Sequence, residues 1–237
     1  MIGAVLFDLD DTLYHQQQWL DGAWHAVATR AARDGVDPQR LEAVLHELAA
    51  GGSDRGRIID RALDRLGETR VSVAPLVTAF RAHAPARLDR YPGVVDALDD
   101  LHRRVPLGLI SDGHPTIQRA KLAALDLGSV FTSVVLSDEH GRAHRKPDPL
   151  PFRVALTQLG VEPADAVYIG DRPDKDVAGA VGAGLRAVRV RTGEWSGEPD
   201  DPRAWASVAT VLDAVELVRR ALPPARVTAP APTNAPA

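Results

Sequence analysis

The chain has 237 residues, enough to bury a sizeable core as one domain with an insertion or as two small domains. With 45% hydrophobic and 25% charged residues it has the make-up of a soluble globular protein, and a net charge of -4 gives no overall basic field for nucleic acid. Cysteine is absent, which excludes disulfides, zinc–thiolate sites and thiol nucleophiles and suits a cytoplasmic location. No uncharged apolar run approaches the roughly 18 residues of a membrane span, and the apolar start over 2–7 is cut by Asp8 far short of a secretory signal.

The first predicted element is Ala4-Val5-Leu6-Phe7, a continuous apolar run that reads as a buried parallel strand. From 14 to 90 the spacing is helical instead. Ala26, Val27 and Arg30 begin one pattern, and Leu41, Val44, Leu45 and Leu48 a second. Ile58, Ile59, Ala62, Leu63 and Leu66 make a third, and Leu76, Val77 and Phe80 a fourth. This stretch is read as an α-helical cap domain inserted after strand one, with a Gly-rich loop at 51–56. Helices over 94–103, 116–125, 151–159 and 174–183 then alternate with strands over 105–110, 133–136, 166–169 and 187–190. That alternation predicts an α/β core over 1–13 and 91–222: a Rossmann-like parallel sheet with helices on both faces. A last helix is expected over 203–222. The Pro- and Ala-rich remainder, 223–237, reads as a disordered tail. Gly179 to Gly184 looks superficially like a nucleotide loop, but its spacing and late position favour a helix end turning into the next strand.

Chemistry-bearing residues gather where the parallel strands end, the place where ligands bind in open α/β sheets. Asp8-Leu9-Asp10-Asp11-Thr12 follows the first strand. Residues two apart in extended backbone project to one side, so Asp8 and Asp10 can face one pocket. There a metal or a proton must relieve their repulsion. An acidic turn with Asp11 and Thr12 capping a helix is the plain alternative. Ser111-Asp112-Gly113 offers a hydroxyl and backbone N–H groups at a helix entrance, a cradle for phosphate or simply a turn. Lys146 stands in Lys146-Pro147-Asp148-Pro149, a stiff segment before a helix that can fix a point charge. Gly170-Asp171, with Asp176 about one helical turn on, supplies hard oxygen ligands suited to Mg²⁺.

In this order these residues resemble the haloacid dehalogenase-like hydrolase superfamily, in its phosphatase branch with a helical cap after strand one. Asp8-x-Asp10-x-Thr12 is similar to the family's first motif, Ser111 to its second, Lys146 to its third, and Gly170-Asp171 with Asp176 to its fourth. Tyr91-Pro92-Gly93-Val94, leading back from the insertion, is also similar. The resemblance implies a phosphoric monoester hydrolase. Asp8 would attack phosphorus, and Asp10 would protonate the leaving oxygen and then activate water. Thr12, Ser111, Asp112, Gly113 and Lys146 would contact the substrate, Lys146 also holding the nucleophile. It further implies Mg²⁺ bound by Asp8, Asp171 and the backbone carbonyl of Asp10, with Asp176 acting directly or through water. Asp11 departs from the pattern, since many relatives carry glycine there.

Several readings compete. A haloacid dehalogenase needs no acid two residues after its nucleophile, so Asp10 favours phosphoesters. A phosphomutase of the β-phosphoglucomutase type would share every motif. A response-regulator receiver places its acceptor aspartate on a later strand and has no helical insertion after strand one. A non-catalytic binding module would leave this full set of polar groups without a task. The expected substrate is a small phosphorylated metabolite, a sugar phosphate or phosphoglycolate for example. In the cap, Trp19, Trp24, His25, Arg55 and Arg57 are candidate contacts, Arg55 foremost because a Gly-flanked arginine can reach an anion. The tryptophans also suit the cap interior. His114 is a further candidate beside the leaving group.

Overall fold

Parallel strands β1 (Ala4–Phe7), β2 (Leu107–Ser111), β3 (Ser133–Leu136), β4 (Ala166–Gly170), β5 (Arg186–Val190) and β6 (Ala206–Val208) form a sheet in the order β3-β2-β1-β4-β5-β6. The computed structural model from which this is taken describes residues 1–53 and 56–223. Arg55 and residues 224–237 of the expected tail therefore lie outside the described residues. β1 is central and buried on both faces, which is why its residues are all apolar. Val5 and Phe7 enter one apolar cluster; Ala4 and Leu6 enter the other, with Phe152 and Tyr168. Phe7 is level with Leu109 on β2 and with Ile169 on β4, so the three strands end within two residues of one another.

Between β1 and the rest of the core lie helices α1 (Gln17–Ala32), α2 (Pro38–Ala50), α3 (Ile58–Leu66) and α4 (Val73–Ala82), in the order of the four helical patterns. Local chemistry sets their ends. Asp37 caps α2 by accepting from the N–H groups of Gln39 and Arg40, and Pro38 opens the helix. Gly67 closes α3 in the left-handed region. Trp19 and Trp24 pack on Phe80, with ring centroids 5.0 and 4.7 Å away. The tryptophans thus form the interior of this helical layer.

The core helices α5 (Val94–His102), α6 (Pro115–Ala124), α7 (Leu150–Leu159) and α8 (Ala178–Gly182) connect the strands. Two expectations need correction. The helix expected over 174–183 is divided: a π-helical turn, Pro173–Val177, precedes the short α8. The helix expected over 203–222 begins later, as α9 (Val211–Ala221). Residues 206–208 instead extend the sheet beside β5, and Thr210 starts the helix by a reciprocal cap with Asp213. Gly184, at φ 91°, turns the chain from α8 into β5, so the Gly179–Gly184 segment is the helix end and turn its spacing favours. Among the described residues no helix is long and apolar enough to cross a membrane.

The cap of α9 is testable away from the site. Thr210→Ala removes the bond that the hydroxyl accepts from Asp213 N and is expected to cost about 1 kcal/mol in urea unfolding, with catalysis unchanged.

Candidate active site

Lys146 stands at the centre of the site. It is buried, and its Nζ donates to Asp8 Oδ1 at 2.5 Å, Asp176 Oδ1 at 2.7 Å and Tyr168 Oη at 3.0 Å. Asp8 follows β1, and its backbone N–H is bonded to the carbonyl of Ile169 on β4. Asp171 directly follows β4, and Asp176 lies in the π-helical turn. Gly170 lets this turn approach the strand: a Cβ there would sit 2.4 Å from Cγ of Asp176. Asp8, Asp171 and Asp176 each present a carboxylate oxygen within 4.8 Å of the others, and all are buried. Asp176 is engaged through both oxygens, since Oδ2 also accepts from Arg172 N at 2.9 Å. The Asp171 carboxylate accepts no hydrogen bond from the described residues. These hard oxygens, one of them on so lightly engaged a carboxylate, fit a divalent cation.

The electrostatics agree. Burial, with Asp176 and Asp10 beside it, outweighs the lowering by Lys146 and pushes the Asp8 carboxyl up to about 8. Burial, together with Asp176, Asp8 and Asp11, pushes Asp171 well above the carboxylate range. Lys146 would lose its proton to burial alone, but Asp176 and Asp8 hold its pKa well above the usual value. Asp10 behaves in the opposite way: burial raises it, but Lys121, Tyr14 and Gln118 together bring it below its usual value.

A cavity of about 120 Å³ opens beside these groups. Its wall includes Asp8, Asp10, Asp11, Asp112, Lys146, Asp171 and Asp176, so most of the sequence-derived set converges on one space. Ser111, Thr12 and Gly113 are not on that wall. Ser111 is fully buried at the end of β2, where Oγ accepts from Gln118 Nε2 at 2.5 Å. Its own hydroxyl hydrogen is left for another acceptor. Thr12 is turned inward because 9–13 coil into a tight turn, with the N–H groups of Thr12 and Leu13 bonded to the carbonyl of Leu9. Asp112 ties two loops together, its Oδ1 accepting from Ser137 Oγ at 2.7 Å and from Lys146 N at 3.1 Å. His25, Arg57 and His114 are away from the cavity: His25 meets Glu42, Arg57 meets Asp60, and His114 heads α6.

Among the described residues the rest of the wall is Gln16, Ser53, Arg145, Arg172, Lys175 and Trp195, none of which the motifs single out. Arg172 stacks over Trp195 at 4.0 Å. The buried Arg189 bonds to the carbonyls of Trp195 and Glu198 and so fixes the loop that carries Trp195. The loop meets the helical layer through Ser53, whose N and Oγ donate to Glu194 at 2.8 and 2.7 Å. Asp11 holds both parties. Its carboxylate accepts from Gln16 N at 2.9 Å and Glu194 N at 3.0 Å. Asp11 adopts φ 56°, a left-handed conformation that glycine takes freely and aspartate tolerates. Gly193 has to be glycine, because a Cβ there would lie 1.9 Å from Asp11 Cγ.

A haloacid dehalogenase-like hydrolase model matches residues 2–184. The chain belongs to the haloacid dehalogenase-like hydrolase family. It is 40% identical over 234 residues to a phosphoserine phosphatase of Thermus thermophilus, covering 84% of this chain and 92% of that one. It is 36% identical over 204 residues to a glyceraldehyde 3-phosphate phosphatase of Methanopyrus kandleri, covering 82% and 86%. A phosphoglycolate phosphatase of Rhodospirillum rubrum is 36% identical over 207 residues, covering 83% and 82%. Among solved structures, a 2-haloacid dehalogenase of Pseudomonas syringae superposes with TM-score 0.65 at 27% identity, covering 93% of this chain and 99% of that one. A phosphatase of the same family from Thermococcus onnurineus shares the fold, with TM-score 0.65 at 24% identity, covering 92% and 98%.

The raised carboxyls make a stability prediction. In the folded chain Asp8 and Asp171 keep protons that the unfolded chain has released, a contribution present in full below the usual carboxylate pKa and lost as pH rises through the raised values. Lys146 stays charged throughout. In chelator, Tm is expected to fall as pH is raised from about 5.5 to about 8.5, and the double change Asp8→Asn and Asp171→Asn should flatten that slope in calorimetry.

Proposed function

We propose that this phosphoric monoester hydrolase is Mg²⁺-dependent and hydrolyses a small phosphorylated metabolite through an aspartyl-phosphate on Asp8, with the helices between β1 and α5 serving as a cap. The observation that carries the reading is the Asp8 carboxylate bridged to Lys146 at the strand ends, with Asp10 two residues on and on the same cavity wall. A carboxylate fixed in that way suits in-line attack, and phosphoryl transfer depends on positioning and charge neutralisation more than on covalent chemistry.

Asp8 attacks phosphorus while the bond from phosphorus to the leaving oxygen breaks. The negative charge that the substrate brings into the cavity raises Asp10 so that it takes up a proton on binding; Asp10 gives that proton to the leaving oxygen, and the alcohol departs. Asp10 then takes a proton from water as the water oxygen attacks phosphorus. The bond from phosphorus to Asp8 breaks, inorganic phosphate is released and the nucleophile is restored. Ser111 donates its free hydroxyl hydrogen to the phosphoryl group, and Lys146 keeps Asp8 oriented and balances charge. Asp8, Asp171 and the Asp10 carbonyl would hold Mg²⁺, Asp176 supporting it through Lys146 and Arg172 N; when bound it neutralises the phosphoryl oxygens.

Hydrolysis is favoured over the mutase reading by the similar proteins, which are named as phosphatases of phosphoserine, glyceraldehyde 3-phosphate and phosphoglycolate. A cavity of about 120 Å³ also supports a short leaving group. In a phosphate-release screen over short phosphomonoesters, turnover is expected only with Mg²⁺ and to vanish in chelator. Asp8→Asn is expected to lose more than about 10³-fold in kcat, and turnover surviving in that variant would remove Asp8 as the nucleophile.

A further inference from the structure

Asp10 is gripped by side chains that the reaction above leaves without a task. Its Oδ1 accepts from Lys121 Nζ at 2.7 Å and from Tyr14 Oη at 2.5 Å, and its Oδ2 accepts from Gln118 Nε2 at 2.8 Å. Gln118 and Lys121 stand three apart on α6, so they share one face of the helix. That face looks inward: Lys121 is 4% exposed and Gln118 2%. A lysine buried so deeply is rare unless paired, and its partner here is Asp10. The same ammonium lies 4.7 Å from the ring centroid of Trp19, in the first turn of α1. Gln118 Nε2 also reaches Ser111 Oγ and the carbonyl of Asp112, so one amide touches both Asp10 and Ser111. Neither Lys121 nor Gln118 lines the cavity, and both act on the chemistry only through Asp10 and Ser111.

We propose that Lys121, assisted by Gln118, is a positioning residue that fixes the Asp10 carboxylate on the leaving-group side of Asp8. The inference rests on the acid–base reading of Asp10 given above. Asp10 lies past the end of β1, in irregular backbone, where an aspartate side chain has several rotamers. Donors from α6 and from Tyr14 select one of them. An error of about an ångström in such placement costs on the order of 10²-fold in rate.

The leaving group separates this role from a merely structural one. A short alkyl phosphate expels a basic alkoxide that needs the Asp10 proton. 4-Nitrophenyl phosphate expels a phenolate that departs without one, so formation of the acyl phosphate no longer depends on Asp10, while its hydrolysis still does. Lys121→Met keeps the side-chain length and removes the charge. With the alkyl ester and Mg²⁺, kcat is expected to fall about 10²-fold with KM held within about threefold. With the nitrophenyl ester, a stopped-flow burst of nitrophenolate should keep close to the wild-type rate and be followed by slow turnover. Gln118→Leu should show the same pattern more weakly, and it decides the matter if Lys121→Met does not fold. Equal losses in the burst and in alkyl turnover, or no loss in either, would overturn the proposal. A wild-type chain that releases no phosphate would instead overturn the reading on which it rests.

Discussion

Everything at the strand ends depends on one buried ammonium. Lys146 lies between the nucleophile candidate Asp8 and the turn residue Asp176, with the Tyr168 hydroxyl completing its shell. Removing charges from water is costly unless each is matched, and a single ammonium cannot match Asp8, Asp171 and Asp176. Burial is the main reason Asp8 and Asp171 are raised, the neighbouring carboxylates add to it, and the same excess of acid is why these oxygens suit a divalent cation. Fold and site are coupled through the same contact. The π-helical turn brings Asp176 back against Gly170, and the stiff segment after β3 brings Lys146 in from the other side.

The architecture leaves little freedom in where this contact can form. β1, β2 and β4 are parallel and end within two residues of one another, so Asp8, Ser111 and Asp171 lie at the same edge of the sheet. The helical layer meets that surface from above, its tryptophans spent on its own packing against Phe80. Among the described residues it contributes Gln16, from the approach to α1, and Ser53, from the loop after α2, to the cavity wall.

Much of this was legible from the chain alone. Apolar runs located the central strands, because strands covered on both faces are built mostly from apolar residues. Asp8, Asp10, Ser111 and Asp171 followed because each stands at or just past the end of such a run, and Lys146 because Pro147 and Pro149 stiffen the segment before α7. The C-terminal strand was hidden: Ala206-Ser207-Val208 is short, half-exposed and adjacent to an amphipathic helix, so a period of 3.6 absorbed it. Residues that support the motif side chains were hidden for another reason. Tyr168 reads as one more strand apolar, and only its hydroxyl, buried beside Lys146, gives it a polar task. Gln118 and Lys121 are polar residues within α6, and spacing shows which residues share a face but not which face turns inward. Thr12 is buried in the turn at 9–13 and is not among the residues that line the cavity, a placement its motif does not show.

Asp11 gives the enclosure a further property. One carboxylate oxygen takes the entrance to α1 and the other takes the loop whose Glu194 grips Ser53. The doorway and the catalytic strand are therefore laced through one side chain, immediately beside Asp10. The wall of the cavity is thereby joined across its two sides, the entrance to α1 on one and the Glu194 loop on the other. A change at Asp11 would therefore be felt at three places at once: the start of the helical layer, the Glu194 loop and the turn that carries Asp10.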